Sequence, residues 1–206
     1  MSTVPAPPIV AVLAGGKGER IGGDKPTAQL GGRPLISYPL QAASDAGLQA
    51  VVVAKHDTKL PSLQVPVIFD VEHRQHPLSG VIAALMQHQR VIALACDMPF
   101  IPPTLLRRIA EQPGDAIVTR PGNFMQPFPA LYTTRHLRHL QMSLIGQRSL
   151  QETLERTRPR IIGDPDLRAF GVLVRVYFSV NTPADLNTAE TWLAQPARAA
   201  ALSPED

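Results

Sequence analysis

The sequence predicts an α/β protein: a single domain built on a doubly wound, mainly parallel sheet with helices on both faces. Short, wholly apolar and partly β-branched runs recur along the chain, as in strands that are buried on both sides. They alternate with segments whose apolar residues have helical spacing, which favours a parallel sheet. The length of 206 residues, 44% of them hydrophobic, suits one large domain, which we predict over residues 9–193 between flexible segments at 1–8 and 194–206.

The predicted elements follow one another along the whole domain. Strands are predicted at residues 9–13, 48–54, 65–69, 91–96, 116–119, 128–132 and 171–180. Helices are predicted at residues 34–46, 78–88, 102–111, 134–142, 149–156 and 183–193. Each helix therefore connects two strands or follows the last one, as a doubly wound sheet requires.

Prolines, glycines and capping residues mark the helix ends. Pro34 is placed to open the first helix, Pro39 should delay or kink it, and Gly47 ends it. In the last helix Thr182 is the predicted N-cap, with Asp185 three residues later. The apolar face of the second helix, which we expect in the core, consists of Leu78, Val81, Ile82, Leu85 and Met86.

Composition limits the classes of partner and compartment. The formal net charge is +3, and no lysine-rich run or basic stripe with interleaved aromatics occurs, so we expect anionic small molecules rather than nucleic acid. The single cysteine, Cys96, rules out an intrachain disulfide and fits a reducing compartment. The first residues lack a basic region, and their apolar run is too short for a signal or a membrane span. We expect a soluble, cytoplasmic monomer that acts without a membrane.

A glycine-rich segment follows the first strand. Residues 13–25 read Leu-Ala-Gly-Gly-Lys-Gly-Glu-Arg-Ile-Gly-Gly-Asp-Lys, with five glycines among residues 15–23. Such density favours backbone N–H groups that turn inward and approach a ligand closely. Lys17, Arg20 and Lys25 add positive charge, so the segment predicts a concave site for phosphate oxygens. The alternative is a flexible, basic surface loop.

Two common phosphate-binding patterns do not fit this segment. Gly18 and Gly23 have the spacing of a Walker loop, but Asp24 follows where that pattern requires lysine. Gly16 and Gly18 begin a dinucleotide pattern, but Ile21 occupies the third glycine position. A dinucleotide-dependent oxidoreductase is therefore disfavoured.

Polar residues follow several of the predicted strands. Lys55, Asp70, Asp97 and Asn181 come directly after four of them, and the glycine-rich segment follows the first. Because ligands of doubly wound sheets bind beyond the carboxyl ends of the strands, we expect these residues to converge at one edge.

Their chemistry suits a metal-bound polyphosphate. Asp97 is the predicted magnesium ligand, with Asp70 as a second candidate carboxylate, since Mg²⁺ is held by one or two carboxylates together with substrate phosphates. Lys25 and Arg20 would neutralise the charge of a departing phosphate group. Cys96 we interpret as a small buried residue rather than a nucleophile.

Five motifs together resemble the molybdenum cofactor guanylyltransferases, the MobA family of the nucleotidyltransferase superfamily. The resemblance extends over roughly residues 9 to 193 in the family's order. Its motifs are the glycine-rich segment at 13–25, Pro-Leu-Ser-Gly at 77–80, Cys-Asp-Met-Pro-Phe-Ile-Pro at 96–102, Pro-Phe-Pro-Ala-Leu-Tyr at 127–132 and Val-Asn-Thr-Pro-Ala-Asp-Leu at 180–186.

The resemblance implies a fold, a reaction and a set of site residues. The fold would be the three-layer, Rossmann-like nucleotidyltransferase fold. GTP and Mg²⁺ would bind, the terminal phosphate of molybdopterin would attack the α-phosphorus of GTP, and pyrophosphate would leave. Other cofactor-assembly proteins or acceptor apoenzymes would be transient partners. The nucleotide-binding residues that the resemblance implies are Leu13, Ala14, Gly15, Lys25, Asp70 and Asp97, with Asp97 on the magnesium and Asn181 on the molybdopterin side. From the glycine-rich segment itself we add Gly16 and Gly18 as nucleotide-binding residues, and we predict Arg20, Lys25 and Asp97 as catalytic.

Some positions depart from the family's pattern. Gln75 and His76 stand where the family often has Pro-Gly, Lys55 where asparagine is common, and Ser179 where an asparagine precedes Val-Asn. We expect these departures to affect the acceptor more than the nucleotide. Two other functions stay open: a related nucleotidyltransferase that uses CTP or a sugar phosphate, and a non-catalytic nucleotide-binding protein of cofactor assembly.

Overall fold

The computed structural model describes residues 6–16, 25–70 and 76–195. The strands are β1 (Ile9–Leu13), β2 (Gln29–Leu30), β3 (Arg33–Pro34), β4 (Ala50–Ala54), β5 (Val67–Phe69), β6 (Arg90–Ala95), β7 (Ala116–Arg120), β8 (Gln126–Thr133) and β9 (Arg160–Gly163). The α-helices are α1 (Ser37–Asp45), α2 (Pro77–Leu85), α3 (Pro103–Glu111), α4 (Leu137–Ile145), α5 (Leu150–Arg156), α6 (Asp164–Leu167), α7 (Leu173–Val176) and α8 (Pro183–Ala194). Short 3₁₀ turns lie at Lys25–Thr27, Thr134–His136 and Arg168–Phe170.

The main sheet has seven strands in the order β5-β4-β1-β6-β8-β7-β9, and β2 pairs with β3 in a separate hairpin. The strands β5, β4, β1 and β6 are mutually parallel, as are β7 and β9. Strand β8 runs antiparallel to both of its neighbours, β6 and β7. The predicted mainly parallel sheet is therefore confirmed.

Two hydrophobic cores cover the two faces of the sheet. Val10 and Val12 of β1 pack in the core that contains α1 and α3, whereas Ala11 packs in the core that contains α2, α4 and α5. Successive side chains of a strand point to opposite faces, so an uninterrupted apolar strand supplies both cores. This arrangement gives the three layers of helix, sheet and helix.

The prediction of a strand at residues 171–180 is wrong. The segment contains the short helix α7 and then runs without sheet pairing to α8. Val172 and Val174 are 66% and 69% exposed, whereas Val176 is buried. The strand next to β7 is instead β9, which has only four residues and was not predicted. The β-branched composition of residues 171–180 therefore predicted a strand, although this segment does not pair with the sheet.

Helix ends agree with prediction at some positions and differ at others. The first helix begins at Ser37 and Pro34 lies in β3, so the predicted opening of the helix at Pro34 is wrong. The late start predicted from Pro39, which lies in the first helical turn, is confirmed, and Gly47 follows the end of the helix at φ +73°. Met86 lies just beyond α2 and is 70% exposed, so its predicted place in the core is wrong.

The direction in which strands are added reverses beside β1. From β1 the chain builds outward through β4 to β5, and it then places β6 on the other side of β1. Connections on opposite faces diverge at such a point and leave a crevice beyond the carboxyl ends of the two central strands. The fold therefore places a ligand site at the ends of β1 and β6.

Candidate active site

A cavity of about 320 Å³ opens at this point of the sheet. Its volume is within the range of roughly 300–1,000 Å³ that small-molecule sites occupy. Phe128 reaches the cavity because β8 runs antiparallel, so its first residues lie where the neighbouring strands end. The lining residues are Leu13, Gly15, Gly16, Lys25, Val53, Ala54, Lys55, Asp70, His76, Pro77, Ser79, Gly80, Ala95, Cys96, Asp97 and Phe128.

Lys25 joins two distant parts of the chain at one side of the cavity. Its Nζ donates to Oδ2 of Asp97 at 2.7 Å and to Oδ1 of Asn181 at 2.6 Å. Lys25 lies in the 3₁₀ turn that follows the glycine-rich segment, and Asp97 lies two residues beyond β6. The predicted convergence of Lys25, Asp97 and Asn181 is therefore observed, although no strand precedes Asn181.

Asn181 is held in place by its backbone. The N–H of Val180 donates to the carbonyl oxygen of Asp97 at 2.9 Å, which ties this segment to the end of β6. Oδ2 of Asp185 accepts from the N–H groups of Asn181 at 2.9 Å and Thr182 at 2.8 Å. The hydrogen bond from the Asn181 N–H is the main reason why the pKa of Asp185 is lowered. Oγ1 of Thr182 accepts from the N–H of Asp185 at 3.1 Å, which completes the predicted capping of α8.

A second ion pair lines the same cavity on the side of β4 and β5. Nζ of Lys55 lies 2.8 Å from Oδ2 of Asp70, which is only 7% exposed. The hydroxyl of Ser79 lies 2.6 Å from the same carboxylate oxygen and 2.8 Å from the carbonyl oxygen of His76. The buried carboxylate is thus held between a strand-end lysine and the first turn of α2.

His76 acts as the N-cap of α2. Its Nδ1 accepts a hydrogen bond from the N–H of Leu78 at 3.1 Å, a role that needs a deprotonated ring nitrogen. Burial lowers the pKa of His76, which favours that neutral form. Among the departures from the family pattern, Lys55 and His76 line the cavity, Ser179 accepts at its carbonyl from Nδ2 of Asn181, and Gln75 lies outside the described residues.

Gly15 and Gly16 border the cavity, and the described part of the chain leaves space beside both of them. Within residues 6–16, 25–70 and 76–195, a Cβ on Gly15 would lie 3.5 Å from Cγ of Lys55, an ordinary contact, and a Cβ on Gly16 would have no neighbour within 4 Å. Neither residue has a positive φ. The lack of a side chain at both positions lets a ligand approach the backbone closely.

The other predicted site residues have different positions. The side chain of Leu13 lines the cavity, whereas Ala14 is fully buried in the core. Gly18 and Arg20 lie outside the described residues. Cys96 is buried, as predicted, and burial raises the pKa of its thiol.

The pair of oxygens around Lys25 suits a hard cation. Oδ2 of Asp97 and Oδ1 of Asn181 both approach the same ammonium group, so two oxygen ligands already converge on one positive charge. Carboxylate and amide oxygens are ligands that Mg²⁺ accepts, and Mg²⁺ usually takes only one or two protein ligands beside phosphates and water. In the described ranges no group of three or more His, Cys, Asp or Glu residues is arranged to hold a metal ion.

Across residues 6–16, 25–70 and 76–195, no helix combines the length and the apolar character that crossing a bilayer would take.

Comparison with known proteins gives consistent matches. The family model "MobA-like NTP transferase domain" matches residues 10–161. A molybdenum cofactor guanylyltransferase from Cereibacter sphaeroides is 31% identical, and the match covers 88% of this chain and 95% of the relative. A molybdenum cofactor guanylyltransferase from Pseudomonas putida is 33% identical, and the match covers 71% of this chain and 82% of the relative. The crystal structure of molybdopterin-guanine dinucleotide biosynthesis protein A from Archaeoglobus fulgidus has a TM-score of 0.78 at 28% identity, over 91% of this chain and 99% of that one. On this evidence, together with the crevice between β1 and β6, the chain belongs to the family of MobA-like NTP transferase domains.

Proposed function

We propose that the protein transfers GMP from GTP to the terminal phosphate of molybdopterin and releases pyrophosphate. The relatives that cover most of the chain carry the name molybdenum cofactor guanylyltransferase, which supports this choice among nucleotidyltransferases. The observation that carries the proposal is the position of Lys25 between Asp97 and Asn181 at the switch point of the sheet. A cation and two oxygen ligands at that point suit a triphosphate with its metal ion.

In this proposal the triphosphate lies against the glycine-rich segment. Gly15 and Gly16 leave room for a phosphate or ribose to approach the backbone. The flexible stem of Lys25 lets its ammonium group turn from the two oxygens toward phosphate oxygens, where it neutralises negative charge. We assign Arg20 the same kind of role as a second cation.

Asp97 and Asn181 would hold Mg²⁺ in this site. When bound, the ion would supply positive charge beside the α-phosphate and the leaving pyrophosphate. Asn181 would thus serve the metal as well as the molybdopterin side, since its Oδ1 and Oδ2 of Asp97 both contact Nζ of Lys25.

The chemical step needs no covalent enzyme intermediate. A terminal phosphate oxygen of molybdopterin forms a bond to the α-phosphorus of GTP, and the bond between that phosphorus and the bridging oxygen to the β-phosphate breaks. Pyrophosphate carries away the electron pair of the broken bond. The protein contributes alignment of the two substrates and stabilisation of the developing charge.

The test is pyrophosphate release measured with GTP, CTP, ATP and UTP, each with and without molybdopterin and with Mg²⁺ present. The proposal predicts release only with GTP and molybdopterin together. Release that prefers CTP would instead indicate a related nucleotidyltransferase. GTP binding without any release in the presence of molybdopterin would indicate a non-catalytic binding protein.

We further propose that the chain acts as a cytoplasmic monomer. The single buried cysteine, Cys96, needs no oxidising compartment, which supports the cytoplasmic location. Light scattering of the purified chain with and without GTP tests the oligomeric state, and a stable dimer would contradict it. Transient contacts with other cofactor-assembly proteins or acceptor apoenzymes are also part of the proposal.

A further inference from the structure

Three aromatic rings pack together between the loop that carries Asp97 and the segment that carries Asn181. Phe100 follows Asp97 along the chain, and Phe178 precedes Asn181. Trp192, in the last turn of α8, packs against both rings, with ring centroids 5.7 Å from Phe100 and 4.8 Å from Phe178. The centroids of Phe100 and Phe178 lie 6.4 Å apart. These distances are typical of favourable aromatic pairs, so the cluster connects both segments to the far end of α8.

Arg175 fastens this aromatic cluster to the end of α8. Cζ of its guanidinium group lies 4.9 Å from the ring centroid of Phe100, and its Nη2 donates to the carbonyl oxygen of Trp192 at 3.0 Å. Carbonyl groups in the last turn of a helix lack partners within the helix and carry partial negative charge, which favours a cation there. Within Pro183–Ala194, α8 has no basic residue in its own last turn. Arg175, from α7, therefore supplies the cation that holds this end of α8 on Phe100.

Helix α8 also contacts the segment that carries Lys25. Oε1 of Glu190 accepts from the N–H of Gly31, in the turn between β2 and β3, at 2.7 Å. This hairpin follows the 3₁₀ turn of Lys25 along the chain. Leu30 of the hairpin and Ala189 of α8 are fully buried in the same small hydrophobic cluster. The helix therefore contacts all three segments that meet at the site, which are those of the lysine, the aspartate and the asparagine.

Both ends of α8 are fixed. At its start, Oδ2 of Asp185 accepts from the N–H groups of Asn181 and Thr182. At its other end, Arg175 and Trp192 hold it on the aromatic cluster. A helix of 12 residues is about 18 Å long and moves as one stiff element. A shift at the end held by Arg175 therefore also displaces the end next to Asn181.

We propose that Arg175 is a positioning residue of the active site, which sets the positions of Asp97 and Asn181 through Phe100, Trp192 and α8. This inference rests on the proposed function, because it concerns the groups that receive the triphosphate in that reaction. Arg175 itself touches neither substrate. Misplacing a catalytic group by about 1 Å can slow a reaction by about a hundredfold, so a small shift of the two segments is sufficient.

The first test is the variant Arg175→Met, which keeps much of the aliphatic stem but loses the stacked cation and the hydrogen bond to α8. We expect kcat for pyrophosphate release to fall by about tenfold or more, because the groups that stabilise the developing charge are displaced. Guanosine, which has no phosphate, should bind the variant and the unaltered protein alike. Arg108→Met, which removes an exposed arginine of α3, is the matched control and should retain full kcat. An unchanged kcat in Arg175→Met, with or without a lower melting temperature, would show a merely structural role and overturn the inference.

The second test asks whether Arg175 acts through Phe100. In the variant Phe100→Leu, which removes the ring under the guanidinium group, kcat should already be lowered. Adding Arg175→Met should then lower kcat by much less than it does in the unaltered protein, because both changes break the same link. The KM for molybdopterin should be the same in the variants and in the unaltered protein. Full, independent effects of the two changes, or a raised KM for molybdopterin in Arg175→Met alone, would show that Arg175 contacts a substrate and would overturn the positioning role.

The third test uses the unaltered protein, so it decides even if a variant fails to fold. Trp192 is the one tryptophan of the chain, and its fluorescence reports on the aromatic cluster. Because GTP with Mg²⁺ would fix the segments of Asp97 and Asn181, it should also make the cluster more rigid and lower the quenching constant of Trp192 for acrylamide. Guanosine should leave that constant unchanged. Equal quenching with and without GTP and Mg²⁺ would overturn the inference.

The outcomes separate this inference from the proposed function. Pyrophosphate release by the unaltered protein, together with an unchanged kcat in Arg175→Met, would refute the inference alone. Absence of release by the unaltered protein in the presence of GTP, molybdopterin and Mg²⁺ would refute the proposed function. In that case the quenching of Trp192 with GTP and Mg²⁺ would still decide whether the cluster and the site are linked.

Discussion

Nζ of Lys25 lies 2.7 Å from Oδ2 of Asp97, although 72 residues separate the two in the sequence. Both side chains are largely buried, with 16% and 13% of their surface exposed. Breaking such a pair by removing one charge costs more than breaking a pair on the surface, because the remaining charge is left poorly solvated. The contact therefore fixes the end of the glycine-rich segment against the end of β6.

The variant Asp97→Asn tests the role of the carboxylate. The amide can still accept from Lys25, so the fold should persist, but the negative charge that would hold Mg²⁺ is lost. We expect pyrophosphate release to fall by about a hundredfold or more, as when one charge-stabilising group is removed from an active site. Asp115→Asn, which alters an exposed carboxylate paired with Arg135, is the control and should retain full release. Equal release in the two variants would remove Asp97 from the site.

The variant Lys25→Met tests the proposed phosphate contact. Methionine keeps much of the aliphatic stem but cannot donate to phosphate. The dissociation constant for GTP should rise by about ten- to a hundredfold, as expected for loss of a hydrogen bond between charged groups. Guanosine, which carries no phosphate, should bind both proteins alike. An unaltered GTP dissociation constant would show that Lys25 does not contact the triphosphate.

The variant Gly15→Ala separates stability from binding. The added Cβ fits at 3.5 Å from Cγ of Lys55, and the residue has no positive φ. Alanine restricts the unfolded chain, so the free energy of unfolding should stay the same or rise by about 0.4–1 kcal/mol. GTP should bind more weakly, because the methyl group occupies space next to the ligand. Denaturant titration and calorimetry measure the two effects, and tighter GTP binding would refute a close approach at Gly15.

Acid stability should depend on Asp185. Its pKa in the folded protein is lowered, chiefly by the hydrogen bond from the Asn181 N–H, so its contribution is fully present above the unfolded value of about 3.9. That contribution is lost as the pH falls through the folded pKa. Asp185→Asn should therefore lower the melting temperature at pH 7, in line with a cap worth about 1 kcal/mol, and flatten the decline in acid.

Asp57→Asn, at an exposed position, provides the comparison for Asp185. It should leave both the melting temperature at pH 7 and its slope in acid unchanged. If Asp185→Asn behaves in the same way as Asp57→Asn, the capping box does not stabilise the start of α8. GTP affinity measured on the Asp185 variant then reports whether the position of Asn181 also matters for binding.

Much of the fold could be predicted from local pattern. The apolar runs that became β1, β4 and β6 are buried on both faces, and such runs leave few alternatives to a central parallel strand. At the edge of the sheet the same reasoning failed. Strand β9 is only four residues long, and its alignment with β7 is set by pairing with a distant strand rather than by its own sequence.

The site was predictable where a residue directly follows a strand. Asp70 and Asp97 reach the cavity for that reason. Asn181 reaches Lys25 by a different route, through the hydrogen bond between the N–H of Val180 and the carbonyl oxygen of Asp97 and through the cap of α8. The ion pair of Lys55 with Asp70 was not predicted, because the pairing of β4 with β5 brings the two together only in the folded chain.

The fate of the α-phosphorus of GTP tests the proposed reaction most directly. GTP labelled at that atom is incubated with molybdopterin, Mg²⁺ and either the unaltered protein or Asp97→Asn, and the products are separated. The reaction proposed here predicts that the label moves into the pterin product as one pyrophosphate is released per transfer, and that Asp97→Asn slows this transfer by about a hundredfold or more. Label that stays in GTP, or that appears in GDP, would contradict guanylyl transfer.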